Sequence, residues 1–227
     1  MDKLNGRITG AFFILAAITS IIGLIFYEPA LRDVNYLSHA AQQDNKILTG
    51  VFLELMLVCT AAGTAIMLHP YLKRYNESLG MGYFCFRLLE VVSILIGTIS
   101  VLSILSLSRF YTGNAHTTAQ INFQILGQNL IDIHSWTFII GPNFFLGINT
   151  FIYAYVFFKT NLVSKKIAVL GLIAAILIFI AAFLEMFGII QQVSLVGGLS
   201  GLPIFVYEMM VAIWLIIKGF NTSYWNR

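Results

Sequence analysis

Apolar residues along the chain gather into six long blocks, separated by short stretches that are polar, basic or proline-bearing. The blocks cover residues 8–27, 47–67, 82–107, 133–158, 167–190 and 202–218. A hydrocarbon core of about 30 Å takes roughly 20 apolar residues of helix, so each block is long enough to cross a bilayer. The pattern predicts an all-α polytopic transmembrane bundle of six spans, with residues 1–227 forming a single integral membrane domain. The connections are too short to hold a separate soluble unit. Lys3 and Arg7 precede the first block as in a signal peptide, but the apolar run is too long and no Ala-x-Ala site follows it, so it is expected to stay as a helix. In the fourth block Pro142 has no amide proton to offer the Phe138 carbonyl, which predicts a kink or opening at Gly141-Pro142-Asn143. Broken helices can form ion or solute sites, although Gly and Pro are also ordinary in membrane helices.

Two connections on the expected outer side exceed a turn, 28–46 and 108–132. The second interleaves Ile121, Phe123, Ile125, Leu126, Leu130 and Ile131 with Gln and Asn. That pattern suits a short interfacial helix leading into the fourth span, or alternatively an ordered loop.

Composition agrees with the block pattern: 59% of the 227 residues are hydrophobic and 10% charged, and the mean hydropathy is +0.86. The lipid bilayer is therefore the expected surrounding. The net charge of +3 is distributed unevenly. Nine Lys and Arg (Lys3, Arg7, Lys73, Arg74, Lys159, Lys165, Lys166, Lys218, Arg227) fall on the side of the termini, and only Arg32, Lys46 and Arg109 on the other. By the positive-inside rule both termini are cytoplasmic. Tyr and Trp gather near both interfaces, and no basic patch interleaved with aromatics suggests nucleic acid. Cys59 and Cys85 fall in different spans at different depths, which predicts small packing residues in place of a disulfide.

Ionisable residues inside spans cost roughly a few kcal/mol each on insertion scales and therefore single out functional positions. Here they are Glu54, Arg87, Glu90, Glu185 and Glu208, with Asp132 and His134 at the outer entrance to the fourth span. At 100° per residue Glu54 shares a stripe with Gly50, Ala61 and Ala65, Glu185 with Gly171, Ala174 and Ala181, and Arg87 and Glu90 a face with Gly97 and Thr98. Such stripes of small residues allow close helix approach in lipid. Counted inward from the outer boundary, Glu54 and Glu208 fall at similar depths and are expected to meet, whereas Arg87 pairs with Glu90 or a carboxylate across the bundle. One arginine cannot neutralise several acids, so at least one glutamate is expected to be protonated or hydrated. The functional reading is a polar cavity, open outward, that takes a small polar solute, proton or cation through Glu54, Arg87, Glu90, Glu208 and His134. The bland alternative is that these residues are interhelical hydrogen-bond partners, favoured for Glu185 near the rim.

His39, His116 and His134 all fall on the outer side with Asp132 nearby, a donor set that could hold zinc and activate water in an intramembrane hydrolase. No HExxH or other fixed ligand spacing supports it, so no cofactor and no metal are predicted, and enzymatic activity is the less expected reading. A Gly-rich phosphate loop, GxSxG, CxxC and a lysine buried for a Schiff base are all absent from the sequence.

Four short motifs taken together carry a resemblance: Arg7-x-x-Gly10 entering the first span, Phe52-Leu53-Glu54 in the second, Phe86-Arg87-Leu88-Leu89-Glu90 opening the third, and Glu208 through Trp214-Leu215 to Lys218-Gly219 at the end. In these the chain resembles, over essentially its whole length, the bacterial membrane family described as domain of unknown function 4386. The resemblance implies a six-helix bacterial inner-membrane protein and brings no activity, substrate or cofactor. That family usually has a Pro-Arg pair after the fourth span, where this chain has Val163-Ser164-Lys165-Lys166. The readings carried forward are a binding, sensing or transport protein for a small polar solute or ion, a metal-dependent hydrolase, and a non-catalytic accessory or scaffold protein.

Overall fold

The computed structural model describes residues 2–113, 120–192 and 194–226. It is all-helical, and six of its helices are long and apolar enough to cross a membrane. These are α1 (Asp2–Arg32), α3 (Asp44–Tyr75), α4 (Glu77–Gly113), the pair α5 (Gln120–Phe138) and α6 (Leu146–Thr160), α7 (Lys165–Met186) and α9 (Leu202–Lys218). Two short helices, α2 (Tyr36–His39) and α8 (Leu195–Ser200), lie at the face opposite the described ends of the chain, called the far face below. Most helices overrun the apolar blocks because nothing local stops them at the lipid boundary. Helix α7 instead ends at Met186, before Gly188, whose φ of 69° suits a residue without Cβ.

Each turn has a local cause. Asn76 is the sole residue between α3 and α4: its extended backbone (φ −157°) ends α3, and its side-chain oxygen accepts from the Leu79 amide at 3.0 Å to start α4. Asn161 closes α6 in the left-handed region at φ 55°. Pro203 sits in the first turn of α9, where its missing amide proton costs nothing. On the far face the 28–46 connection is pinned down: Ser108 donates to Leu37 O (2.7 Å) and accepts from the Ala41 amide (2.8 Å), and Arg109 pairs with Asp44 at 2.6 Å.

From Gln120 the second long connection is helical and leads into the fourth span, as the helix reading expects, and the ordered-loop alternative fails there; residues 114–119, and with them His116, lie outside the described residues. Between α5 and α6 the chain forms a π-helix, Ile139–Phe145, around the expected break. A π turn moves each amide one carbonyl further back, to residue i−5, so Asn143 can serve the carbonyl that Pro142 leaves.

Small residues set the helix spacing. Helix α1 crosses α3 at Gly23 and Gly50, where a Cβ built on Gly50 would lie 2.8 Å from the Gly23 carbonyl oxygen. Large apolar side chains such as Ile25, Phe52, Ile66, Ile99, Ile180 and Ile213 point outward as a lipid-facing surface. Cys59 and Cys85 belong to that surface: both are free and exposed, so the expectation that they pack inside was wrong. The stripes of Glu54 and of Arg87 with Glu90 already mark the inward faces of α3 and α4, and at 100° per residue Cys59 lies about 140° from Glu54 and Cys85 about 160° from Arg87, on the outward side.

Inside, two apolar clusters are buried. One, toward the termini face, includes Phe13, Leu68, Tyr83, Tyr153, Phe157 and Tyr207. The other, toward the far face, includes Tyr27, Ile47, Val51, Val101, Ile104 and Leu105. Between them, along α3 and α4, lie Glu54, Thr60, Thr64, Arg87, Glu90, Ser93 and Thr98, all buried. The bundle is thus apolar at both levels and polar in the middle, the reverse of what a lipid-only interior favours.

Candidate functional site

The polar layer divides into three groups. Arg87 and Glu90, one helical turn apart on α4, form an ion pair at 3.0 and 3.2 Å from Arg87 Nη1, their side chains 4% and 6% exposed. Asn149 of α6 donates to the same carboxylate, and Arg87 Nε reaches the Ala61 carbonyl of α3 at 3.5 Å. A charge pair survives burial only when its remaining hydrogen-bond capacity is filled, and Asn149 fills part of it.

Glu54 on α3 belongs to a second group nearer the far face. It accepts from the Tyr27 hydroxyl of α1 (2.9 Å) and the Thr98 hydroxyl of α4 (3.0 Å). His134 of α5 packs edge-on against Tyr27, ring centroids 5.7 Å apart. A niche with room for about one water is lined by Glu54, His134, Thr137 and Pro142.

The expected meeting of Glu54 with Glu208 does not occur. Glu208 lies instead within electrostatic reach of Arg87 and Glu90. Counting inward from the outer boundary misled because α9 is short, preceded by α8 on the far face, while α3 is nearly twice as long. Counted from the termini face, Glu208 is as far from Lys218 as Arg87 is from Glu77.

The third group surrounds a cavity of about 360 Å³, within the size range of small-molecule sites. Glu185 at the end of α7, a residue only 7% exposed, contributes a carboxylate. Asn143, on the π segment, donates to its Oε2 at 2.7 Å. His134 and Ser135 line the wall between Leu24 and Phe138, and Gly197, Gly198 and Gly201 bring backbone from the α8 region to the rim. Arg32 also reaches the rim, already paired with Glu28 at 3.0 Å. His134 lines both the cavity and the niche, so it is the wall between the open space and Glu54.

Five residues were singled out from sequence, and the structure spreads them over all three groups. His134 lines the cavity, Glu54 lies behind it, and Arg87, Glu90 and Glu208 form the layer beneath, none of them in the cavity lining. Glu185, read as a packing residue at the rim, is the acid of the cavity. Asn143 and Asn149 were missed, although an amide buried in an apolar span is costly without a partner and thus calls for one. Tyr27 and Thr98 were missed because each is common at a helix end or mid-span.

Among the described residues, His39 and His134 do not converge. His39 pairs with Asp33 at 2.7 Å on the far-face connection, and Asp132 accepts from Gln128 on its own helix at 2.9 Å. Among the described residues no group of three or more His, Cys, Asp and Glu side chains is placed to hold a metal ion. Outside the spans, the His39 hydrogen bond, with the Asn35 amide second, holds the Asp33 carboxyl below the usual carboxylate range.

A family model described as domain of unknown function (DUF4386) matches residues 8–219. No curated protein and no solved structure matches the chain.

Proposed function

Since the chain belongs to the DUF4386 family, which carries no activity with it, we propose from the cavity itself that this multi-pass membrane protein binds a small polar solute bearing a positive charge. The carrying observation is Glu185. Glu185 is buried at the cavity, Asn143 occupies one of its oxygens, and among the described residues no Lys or Arg pairs with it. Arg32, the only Lys or Arg of the lining, is engaged by Glu28. The walls are otherwise apolar or neutral, which suits an organic ammonium, whose charge meets Glu185 and whose carbon skeleton meets Leu24, Leu31 and Phe138.

The asymmetry of basic residues favours cytoplasmic termini, so the cavity would face outward, in keeping with a bacterial inner-membrane protein. Binding, sensing and transport all begin with that occupancy. The experiment is thermal unfolding of the purified full chain in detergent against primary and quaternary amines, with neutral and anionic solutes of matched size as controls. Stabilisation by amines that vanishes in Glu185→Gln is the expected result. Equal response to anions, or an amine response that survives Glu185→Gln, would refute the assignment.

A further inference from the structure

Beneath the cavity, three buried polar oxygens without a hydrogen bond of good geometry fall together: Glu208 Oε1 and the hydroxyls of Tyr153 and Tyr207. The two phenol rings stack with centroids 5.6 Å apart, and both residues are almost fully enclosed, at 1% and 0% exposure. Tyr83 packs edge-on against Tyr153 at 5.7 Å. Buried polar atoms are nearly always satisfied, so a cluster of unsatisfied ones marks something that belongs there.

Charge counting says what. The groups facing Glu208 are Arg87, Glu90 and Tyr83 on α4, Tyr153 on α6 and Tyr207 on its own helix α9. Arg87 is the one fixed cation among them, and both of its contacts with a carboxylate go to Glu90, which Asn149 also holds. Among the described residues Glu208 makes no ion pair. An ionised Glu208 would leave the cluster one negative charge in excess inside the bilayer, a cost that such groups avoid by neutralising. A metal cation is a poor remedy, because Arg87 repels it and one carboxylate with two phenols provides too few oxygens. A proton is covalently held, needs no coordination shell, and turns Glu208 into a donor for one of the phenol oxygens.

We propose that Glu208 is a proton-binding site, the neutral acid of an Arg87–Glu90–Glu208 triad beneath the cavity. This is independent of what the cavity binds. It is also exchangeable, because Glu208 is the spare counter-ion for Arg87: when Glu90 loses its charge, Glu208 releases its proton and takes over.

Infrared difference spectroscopy of the reconstituted full chain at neutral pH tests this. Wild type minus Glu208→Gln should show the carbonyl stretch of a protonated carboxyl group and no carboxylate bands. In a Glu90→Gln background the same Glu208→Gln difference should change over to carboxylate bands, a switch that a merely structural glutamate would not make. Because glutamine is isosteric with a neutral glutamic acid, Glu208→Gln should melt within a few degrees of wild type. Carboxylate bands in the wild-type difference, failure of Glu208→Gln to fold, or loss of the carboxyl band on adding sodium would each overturn the proposal.

Discussion

Arg87→Met is the most informative single perturbation of the fold. Arg87 places Nη1 3.0 and 3.2 Å from the two Glu90 oxygens with both side chains almost wholly enclosed, so no water replaces the guanidinium once it is gone. The Nε contact to Ala61 O, at 3.5 Å, lies at the edge of hydrogen-bonding range and contributes little. Removing one partner of a buried pair costs about 3–5 kcal/mol, and Asn149 remains as a donor to Glu90, which places the loss near the lower end. About 3 kcal/mol is roughly a hundredfold in the folded fraction. Glu90→Met should cost less, about 1–2 kcal/mol, because the stranded Arg87 still faces Glu208. The double variant Arg87→Met/Glu90→Met replaces the pair with apolar volume and leaves only Asn149 short of a partner, about 1 kcal/mol. The cycle therefore carries a coupling of about 3 kcal/mol. Reversible unfolding of the full chain in mixed micelles, titrated with denaturing detergent, reads all four proteins. Costs that add within experimental error, or an Arg87→Met variant within about 1 kcal/mol of wild type, would refute the view that this pair is buried and mutually dependent.

Other consequences are equally accessible. Pro142→Ala restores an amide at the break and lets the π segment relax to α-helix, turning Asn143 away from Glu185; amine stabilisation should fall while the melting temperature holds or rises. Gly50→Ala puts a methyl group against the Gly23 carbonyl and Phe26 Cβ, 2.8 and 2.9 Å away, and should lose about 1–3 kcal/mol in the same micelle assay. Asp33 is depressed by His39, so its contribution is present above the unfolded-state carboxylate range and is lost as pH falls through its lowered value. Stability of Asp33→Asn measured below about pH 4 should therefore vary less with pH than that of wild type.

The apolar periodicity carried the six spans and the Pro142 break because lipid imposes them residue by residue. The Arg87–Glu90 pair was legible for the same local reason: three residues on one helix fix both partners. What was not legible depended on relative helix placement. Glu208 changed neighbours because α9 begins deeper than a shared outer boundary implies, and Glu185 became the cavity acid because α7 ends just there, against the opened helix that presents Asn143. Asn143 and Asn149 carried a readable signal, a buried amide requiring a partner, which only gains meaning once an acid on another helix is in view.

The one-residue joint at Asn76 bears on how such a chain enters the membrane at all. Glu54, Arg87, Glu90 and Thr98 all belong to the hairpin it makes of α3 and α4, and Lys73 pairs with Glu77 across the joint at 3.0 Å. A hairpin this tight leaves the translocation machinery as one object. Arg87 and Glu90 neutralise each other within their own helix, and Thr98 is ready for Glu54 across the hairpin, before Asn149 and Glu208 are in place. Arg87 and Glu90 can thus enter lipid as a neutralised pair, and the later helices close around it and the Glu54–Thr98 contact.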